Sequence, residues 1–464
     1  METYVEQVEI IGLFGRYEIK QDFNPGVNII YGENGVGKTT LLHILANALC
    51  GDFQRFTQLK FKFIKIRLHN EGLLIIQSNQ AKDRSAIKVT LNKKEIWSSD
   101  KEDHEDFQLS LDDMENWNLI KENGITINSK YLNLLREKQS LTQEIVPVAY
   151  FPAFRTMIEA WAASTINREE SPVKRIRNEQ WKEYATKHAR AWFGEFTPMI
   201  NFPSLLEIEE RLAEEIEKAR MEIWRTDQEL ISNSFLNLFA TLTKEKKRKI
   251  DSKKTFGDIQ QLYSSLEASP LKLESRIGIE AFQKIISNLT NQLKIDQTAL
   301  EVLDEYRKVF EQSLDIQKKS FKGLQLYQES VNEFFTTKKI GFKTDVPSYR
   351  RQSVGIFYDD AHFSPGFRTL SSGERQIITL IYASTHMSKQ KIVLIDEPEI
   401  SLHVDWQRKL ISRMANQMGN SQIIACTHSP VIGADKLEDM RGLNSTISKR
   451  LESTDDLSNE EIPF

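Results

Sequence analysis

Two cysteines are all that 464 residues carry. Cys50 and Cys426 sit in apolar surroundings and make no ligand cluster, so they read as reduced core residues. No apolar run approaches the ~20 residues of a membrane span, so no membrane partner is expected. The opening METYVEQVEI lacks the basic and apolar regions of a secretion signal, which points to the cytoplasm. A net charge of −4 argues against a surface given over to nucleic acid, while a local basic patch stays open. The ordinary apolar and charged content fits two or three folded units.

Against these absences stands one dense stretch, GENGVGKT, from Gly32 to Thr39. It follows the apolar run VNIIY and leads into TLLHILANAL, whose apolar residues recur at helical spacing. Strand, glycine-rich loop and helix in that order satisfy G-x-x-x-x-G-K-[ST] at Gly32, Gly37, Lys38 and Thr39. Glycines let backbone N–H groups close around phosphate oxygens, and the positive end of the helix adds attraction. Lys38 is expected on the β/γ-phosphates and Thr39 on Mg²⁺, with Asn34, Gly35 and Thr40 completing the ATP-binding set.

A phosphate loop needs a carboxylate for the metal and a base for water. KIVLIDEPE, Lys391–Glu399, offers both: four apolar residues of a central strand, then Asp396 and Glu397 at its end. Asp396 is expected to hold Mg²⁺ with Thr39, and Glu397 to take the proton of the attacking water. Upstream, LSSGERQ reads as a helix start presenting Ser371, Ser372, Gly373 and backbone N–H groups to an anion. Downstream, THSP follows the strand Gln422–Cys426 and puts His428 where it can sense a γ-phosphate.

LSSGERQ, IVLIDEPE, SLH and THS, in that order, resemble the carboxyl half of an ABC-type ATPase head, nearer the SMC-like and OLD-like branch than transporters. The resemblance implies an α/β fold: a P-loop ATPase head with a mixed sheet, flanking helices and a helical or short coiled-coil insertion. It further implies that Lys38, Thr39, Asp396, Glu397 and His428 act in one subunit, while Ser371 and Gly373 reach the γ-phosphate of another. Head-to-head dimers around ATP follow, and a hexameric ring of such dimers is one form they allow. The chain departs from the family where a glutamine usually completes the Mg²⁺ shell, for VPVAYFPAFRT has none after its strand and Gln143 comes too early. Phe14, Arg16 and Tyr17, in the first hairpin, either stack on adenine or pack the core.

More than a transporter's usual spacing separates phosphate loop and signature. FKFIKIRLHN, GLLIIQ, AIKVTLN and GITIN read as strands added to the head, and Asp100–Glu115 as an acidic, solvated loop. Amphipathic helices follow, with Leu206, Leu212, Ile216, Ile223 and Leu230 roughly on one face and a second such run over Ala281–Phe335. The expected organisation is residues 1–155 and 345–440 as the halves of the head, 156–344 as the insertion and 441–464 as an acidic tail. No C-x-x-C marks a zinc hook. Basic residues with aromatics at Val173–Trp192, and KEKKRKIDSKK at Lys244–Lys254, suit either a solvated surface or nucleic-acid contact.

The sequence after THSP holds no Toprim-like carboxylate cluster, and its eight histidines form no His-Asn-His nuclease pattern. Heads of this build resemble the ATPase subunits of two-gene antiphage systems, the PtuA family of Septu and the AriA family of PARIS. That resemblance implies a separate nuclease effector subunit, of HNH or Toprim type, and a phage-encoded trigger. The alternative is a DNA-repair or DNA-maintenance ATPase that clamps DNA.

Overall fold

The computed structural model describes residues 3–79, 86–99, 145–155, 157–158, 178–243, 252–267, 297–343, 353–360, 362–386, 392–418 and 421–447. The expected strand GITIN, the acidic loop at 100–115, residues 281–296 of the second helical run and most of both basic clusters' lysine-rich ends lie outside them. The chain packs as two compact units, Met1–Phe202 with Met387–Phe464, and Pro203–His386.

The first unit carries two sheets. Largely apolar runs, buried on both faces, make the central strands of a five-stranded parallel sheet. These are β3 (Val27–Tyr31), β12 (Ile392–Asp396) and β13 (Gln422–Thr427), flanked by β8 (Val148–Phe151) and β14 (Met440–Gly442) in the order β14-β3-β13-β12-β8. Alternating burial makes an antiparallel sheet instead. It contains β1 (Val5–Leu13), β2 (Tyr17–Asp22), β4 (Phe63–Leu68), β5 (Gly72–Asn79), β6 (Ala86–Leu91), β7 (Lys94–Ser98) and β15 (Ser445–Ile447), in the order β15-β2-β1-β4-β5-β6-β7. One hydrophobic core joins the sheets around helix α1 (Lys38–Leu49), with Leu41, Leu42, Ile44 and Leu45 fully buried. Gln422, at the base of β13, fastens them together: its amide exchanges two 2.9 Å hydrogen bonds with the backbone of Val5.

The sheets run on to Ile447, beyond the sequence expectation of a tail from 441. Met440–Gly442 pairs with β3 and Ser445–Ile447 with β2, because short strands there find unpaired sheet edges. Helix α2 (Asn178–Phe193) also belongs to this unit. Its Arg190, one of the basic residues considered for nucleic acid, is instead committed inward, to Asp52 at 2.8 Å and to the carbonyl of Thr197.

The second unit is mostly helical: α3 (Leu205–Leu242), α4 (Ser252–Glu267), α5 (Gln297–Ser320), α6 (Lys322–Asn332) and α7 (Ser372–His386), with a small sheet of β9 (Lys338–Phe342), β10 (Val354–Tyr358) and β11 (Phe363–Pro365). Of the α3 stripe, Leu212, Ile216 and Ile223 are buried, while Leu206 and Leu230 are only half-buried. The stripe is interrupted by a polar pair, Asp227 with Ser313 of α5 at 2.7 Å.

Candidate functional site

In a parallel sheet the carboxyl ends of the strands share one rim. Register makes that rim level here: Asp396 pairs with Cys426, Thr427 with Tyr31, and Ile395 with Phe151. The loops leaving β3, β8, β12 and β13 therefore meet. Helix α8 (Val404–Met418) follows the β12 loop.

The loop after β3 holds Gly32, Asn34, Gly35, Gly37, Lys38, Thr39 and Thr40. Gly37 stands at the N-cap of α1 with φ +101°, a left-handed conformation in which a side chain would be strained. Lys38 is buried, and its ammonium donates to the carbonyls of Gly32 at 2.7 Å and Glu33 at 2.9 Å. It also lies 3.3 Å from His428 Nδ1. Burial lowers the lysine's pKa, and the Cys426, Asp396, Glu397 and Glu399 side chains oppose that shift.

Asp396, 3% exposed, receives the Thr39 hydroxyl at 3.3 Å. Burial pushes its carboxyl up to about 6, against the pull of that hydroxyl and of the Arg155 charge. A buried carboxylate beside a hydroxyl, its desolvation cost only partly offset, is a donor set that fits a hard divalent cation such as Mg²⁺. Glu397 follows, half-buried, with its carboxylate 3.7 Å from His428 Nε2. His428 thus stands between Lys38 and Glu397.

Ser371, Ser372 and Gly373 lie in the second unit, at the start of α7, so the structure gathers Lys38, Thr39, Asp396, Glu397 and His428 and describes the signature by itself. Ser371 and Glu374 form a capping box there: the backbone N–H and hydroxyl of Ser371 donate to Glu374 Oε2 at 2.8 and 2.9 Å. Lys338 of β9 donates to the same oxygen at 2.9 Å.

Three contributors escaped the sequence reading. Glu399 accepts from the Thr427 hydroxyl at 2.7 Å, the His428 amide at 2.8 Å and the Ser429 amide at 3.0 Å, which shapes the histidine loop. The last acid of IDEPE was its only signal. Arg155, which lies within VPVAYFPAFRT and was given no role there, is 1% exposed. Its guanidinium donates to the carbonyls of Pro152, Asp396 and Glu397 at 2.8, 2.9 and 3.1 Å. Phe154 stacks on Phe193 of α2 with ring centres 3.9 Å apart, and nothing in either local sequence signals that pairing.

These rings, with Thr39, His43, Ala153, Asp396 and Glu397, line a cavity of about 440 Å³. His43 shares a 2.8 Å hydrogen bond with the Tyr150 hydroxyl. Burial holds the histidine down to about 4 and pushes the tyrosine well up, so both are neutral at pH 7.

Among the first adenine candidates, Phe14 is half-exposed, whereas Tyr17 packs against the core and carries the Arg16 guanidinium 4.7 Å above its ring. No helix among the described residues is long and apolar enough to cross a membrane.

The chain is 30% identical over 95 residues to a retron Ec83 probable ATPase of Escherichia coli, covering 18% of each chain. It is 22% identical over 203 residues to a retron Vc95 probable ATPase of Vibrio cholerae serotype O1 biovar El Tor, covering 40% of this chain and 38% of the relative. The matched segments thus span less than half the length of these curated relatives. Among solved structures, the Smc head domain of Pyrococcus furiosus with an extended coiled coil, bound to the C-terminal domain of ScpA, aligns over 96% of this chain and 97% of its own at 12% identity and a TM-score of 0.41. The Pyrococcus yayanosii Smc head with coiled coil and joint aligns over 97% and 98% at 13% identity and 0.37. The AAA ATPase domain family matches residues 5–432, nearly the whole length, and the chain belongs to that family.

Proposed function

We propose that the rim of the parallel sheet binds ATP with Mg²⁺ and hydrolyses it to ADP and phosphate. The observation that carries this reading is the meeting of Lys38, Thr39 and Asp396: an ammonium and a hydroxyl from the phosphate loop beside a buried carboxylate. Lys38 and the loop N–H groups hold the β- and γ-phosphates. Thr39 and Asp396 hold Mg²⁺, which when bound neutralises charge on the phosphate oxygens. Glu397 orients a water and accepts its proton as the water oxygen attacks the γ-phosphorus and the bond to the β–γ bridging oxygen breaks. His428, between Lys38 and Glu397, contacts the γ-phosphate. The apolar wall of Phe154 and Phe193 limits how much water shares the cavity.

Within the cell the ATPase serves as sensor and scaffold of an antiphage complex that holds a separate nuclease. Support comes from the order of motifs, the family, and the partial likeness to two retron ATPases. Heads pair around ATP, with Ser371 and Gly373 of one subunit completing the site of another, in a cytoplasmic homo-oligomer.

Glu397→Gln tests both levels. It keeps shape but cannot take a proton, so turnover falls on the order of 10²–10⁴ while ATP binding persists. With its co-encoded partner the variant should assemble normally yet give no protection in plaque counts. Wild-type hydrolysis would dismiss Glu397 as the base. Lost hydrolysis with full protection and no toxicity would sever the ATP cycle from defence. Tight, salt-sensitive DNA binding with no nuclease partner would favour the DNA-maintenance reading.

A further inference from the structure

Glu397 occupies an unusual place in the backbone map. Its φ of +46° is left-handed, where a residue with a Cβ is strained and persists only if its surroundings enforce it. Two backbone bonds bracket it: its amide donates to the Cys426 carbonyl at 2.9 Å, and its carbonyl accepts from the Ile400 amide at 3.3 Å. The third restraint comes from a distant part of the chain. Arg155 Nη2 donates to the Glu397 carbonyl at 3.1 Å, while Nη1 donates to the Asp396 carbonyl at 2.9 Å and to Pro152 at 2.8 Å.

A planar guanidinium fixes the directions of its donors, so it holds two successive carbonyls at a set angle to one another. That angle is the turn in which the chain leaves β12, and it decides where the Glu397 carboxylate points. Arg155 is in turn anchored by its own turn, since the backbone amide of Arg155 donates to Pro152 at 3.2 Å. The side chain lies deep, 1% exposed, and touches the carbonyl side of residues 396 and 397. A residue so placed acts through the backbone of its neighbour.

We propose that Arg155 is the positioning residue of Glu397: its guanidinium locks the left-handed turn that aims the base at the cavity beside Asp396. The proposal rests on the reading of Glu397 as general base. It assigns the loop after β8, where no glutamine follows the strand, the task of setting the base.

The test is a double-mutant cycle on the full chain, using single-turnover hydrolysis of γ-labelled ATP, ATP affinity and thermal unfolding. Arg155→Met keeps length and loses the fork. Turnover should fall on the order of 10- to 100-fold, because a misplaced reacting group costs about that much. ATP affinity should stay within about threefold, since Lys38 and its loop are untouched. Arg155→Lys, which restores one charged donor group, should recover part of the rate.

In the Glu397→Gln background, Arg155→Met should cost nothing further, because a base that is absent cannot be misplaced. A multiplicative loss in the double variant, or equal losses of affinity and rate in Arg155→Met, overturns the proposal and leaves a structural arginine. Glu397→Gln inactive with Arg155→Met fully active also overturns it, while sparing the base assignment. Glu397→Gln with wild-type turnover instead fails the underlying reading. Should Arg155→Met not fold, Arg155→Lys carries the same cycle and the same criteria.

Discussion

Replacing Glu399 with alanine should disable the histidine loop while sparing the fold. Its Oε1 accepts three bonds, from the Thr427 hydroxyl and the amides of His428 and Ser429. Bonds to a charged acceptor are worth about 1.5–3 kcal/mol each, and three would suggest a collapse. The surroundings reduce that sum. The Ser429 amide already shares the Thr427 hydroxyl at 2.9 Å, and that hydroxyl can turn to the Ser429 carbonyl at 3.3 Å. His428 is exposed, so its amide can turn to water. The expected loss is therefore about 1–3 kcal/mol of global stability, close to the cost of one unreplaced buried bond. Function should suffer more, because the loop sets His428 between Lys38 at 3.3 Å and Glu397 at 3.7 Å. Turnover should drop on the order of 10- to 100-fold. Glu399→Gln keeps one acceptor but buries an amide where Oε2 now has no partner, so it should fall between the two. Thermal unfolding and ATP turnover on the same preparations check this. Wild-type turnover in Glu399→Ala, or a further tenfold loss on adding His428→Ala, would refute the reasoning.

Lys38→Ala removes the ammonium held over the phosphate loop and should weaken ATP binding on the order of 100-fold, equivalent to about 3 kcal/mol; unchanged affinity in a titration with labelled ATP would move the site elsewhere. Ser371→Arg removes the capping box of α7, at about 1 kcal/mol, and sets a bulky cation at the signature. The variant should still bind ATP as a monomer, but light scattering should show no ATP-driven pairing. Asp227→Asn should raise the melting temperature at pH 7, because burial raises the Asp227 carboxyl while the Ser313 hydroxyl only partly offsets it. The folded chain therefore takes up that proton at higher pH than the unfolded chain. Wild type gains stability as pH falls through the folded pKa, so the gap to the variant should close in acid; a gap constant with pH would refute it.

The phosphate loop, β12 and β13 were legible because each is encoded locally. Val27–Tyr31, Ile392–Ile395 and Gln422–Cys426 are short, largely apolar runs of the kind that fits a strand buried on both faces, and their bounds match within a residue. Alternation at 61–70 and 86–92 and the apolar run at 72–77 likewise locate β4, β6 and β5. Lys94–Ser98 was missed, since five residues with two charges offer no clear period. The α3 helix was legible, but its length was not. Past Leu230 the stripe gives way to half-exposed or exposed Ile231, Phe235, Leu236 and Phe239, and no glycine or proline interrupts the helix there. The motif order set 156–344 apart as the insertion and 345–440 as half of the head, whereas by packing helix α2 joins the first unit and the signature helix the second.

Arg155 and Glu399 were illegible for a different reason: most of their partners are backbone atoms. A side chain that bonds a distant carbonyl or amide imposes no residue type on its partner, so no paired pattern marks it in the sequence. Arg155 reaches carbonyls 241 and 242 positions away. Glu399 reaches amides of a loop belonging to another strand. Such bonds matter most where backbone must hold a costly shape, and the β12 rim has two such places, Glu397 at φ +46° and Ser401 at φ +62°. The phosphate loop achieves its own shape with Gly35 and Gly37 at positive φ, and glycine is visible in a sequence. After β12 a carboxylate is needed where glycine would be easiest. The strain then has to be held from outside, by a guanidinium on the loop after β8 and by the Cys426 carbonyl of β13, which accepts from the Glu397 amide. A glycine-built turn is thus readable from its own residues, whereas a turn that must carry a reactive side chain depends on support from elsewhere in the chain.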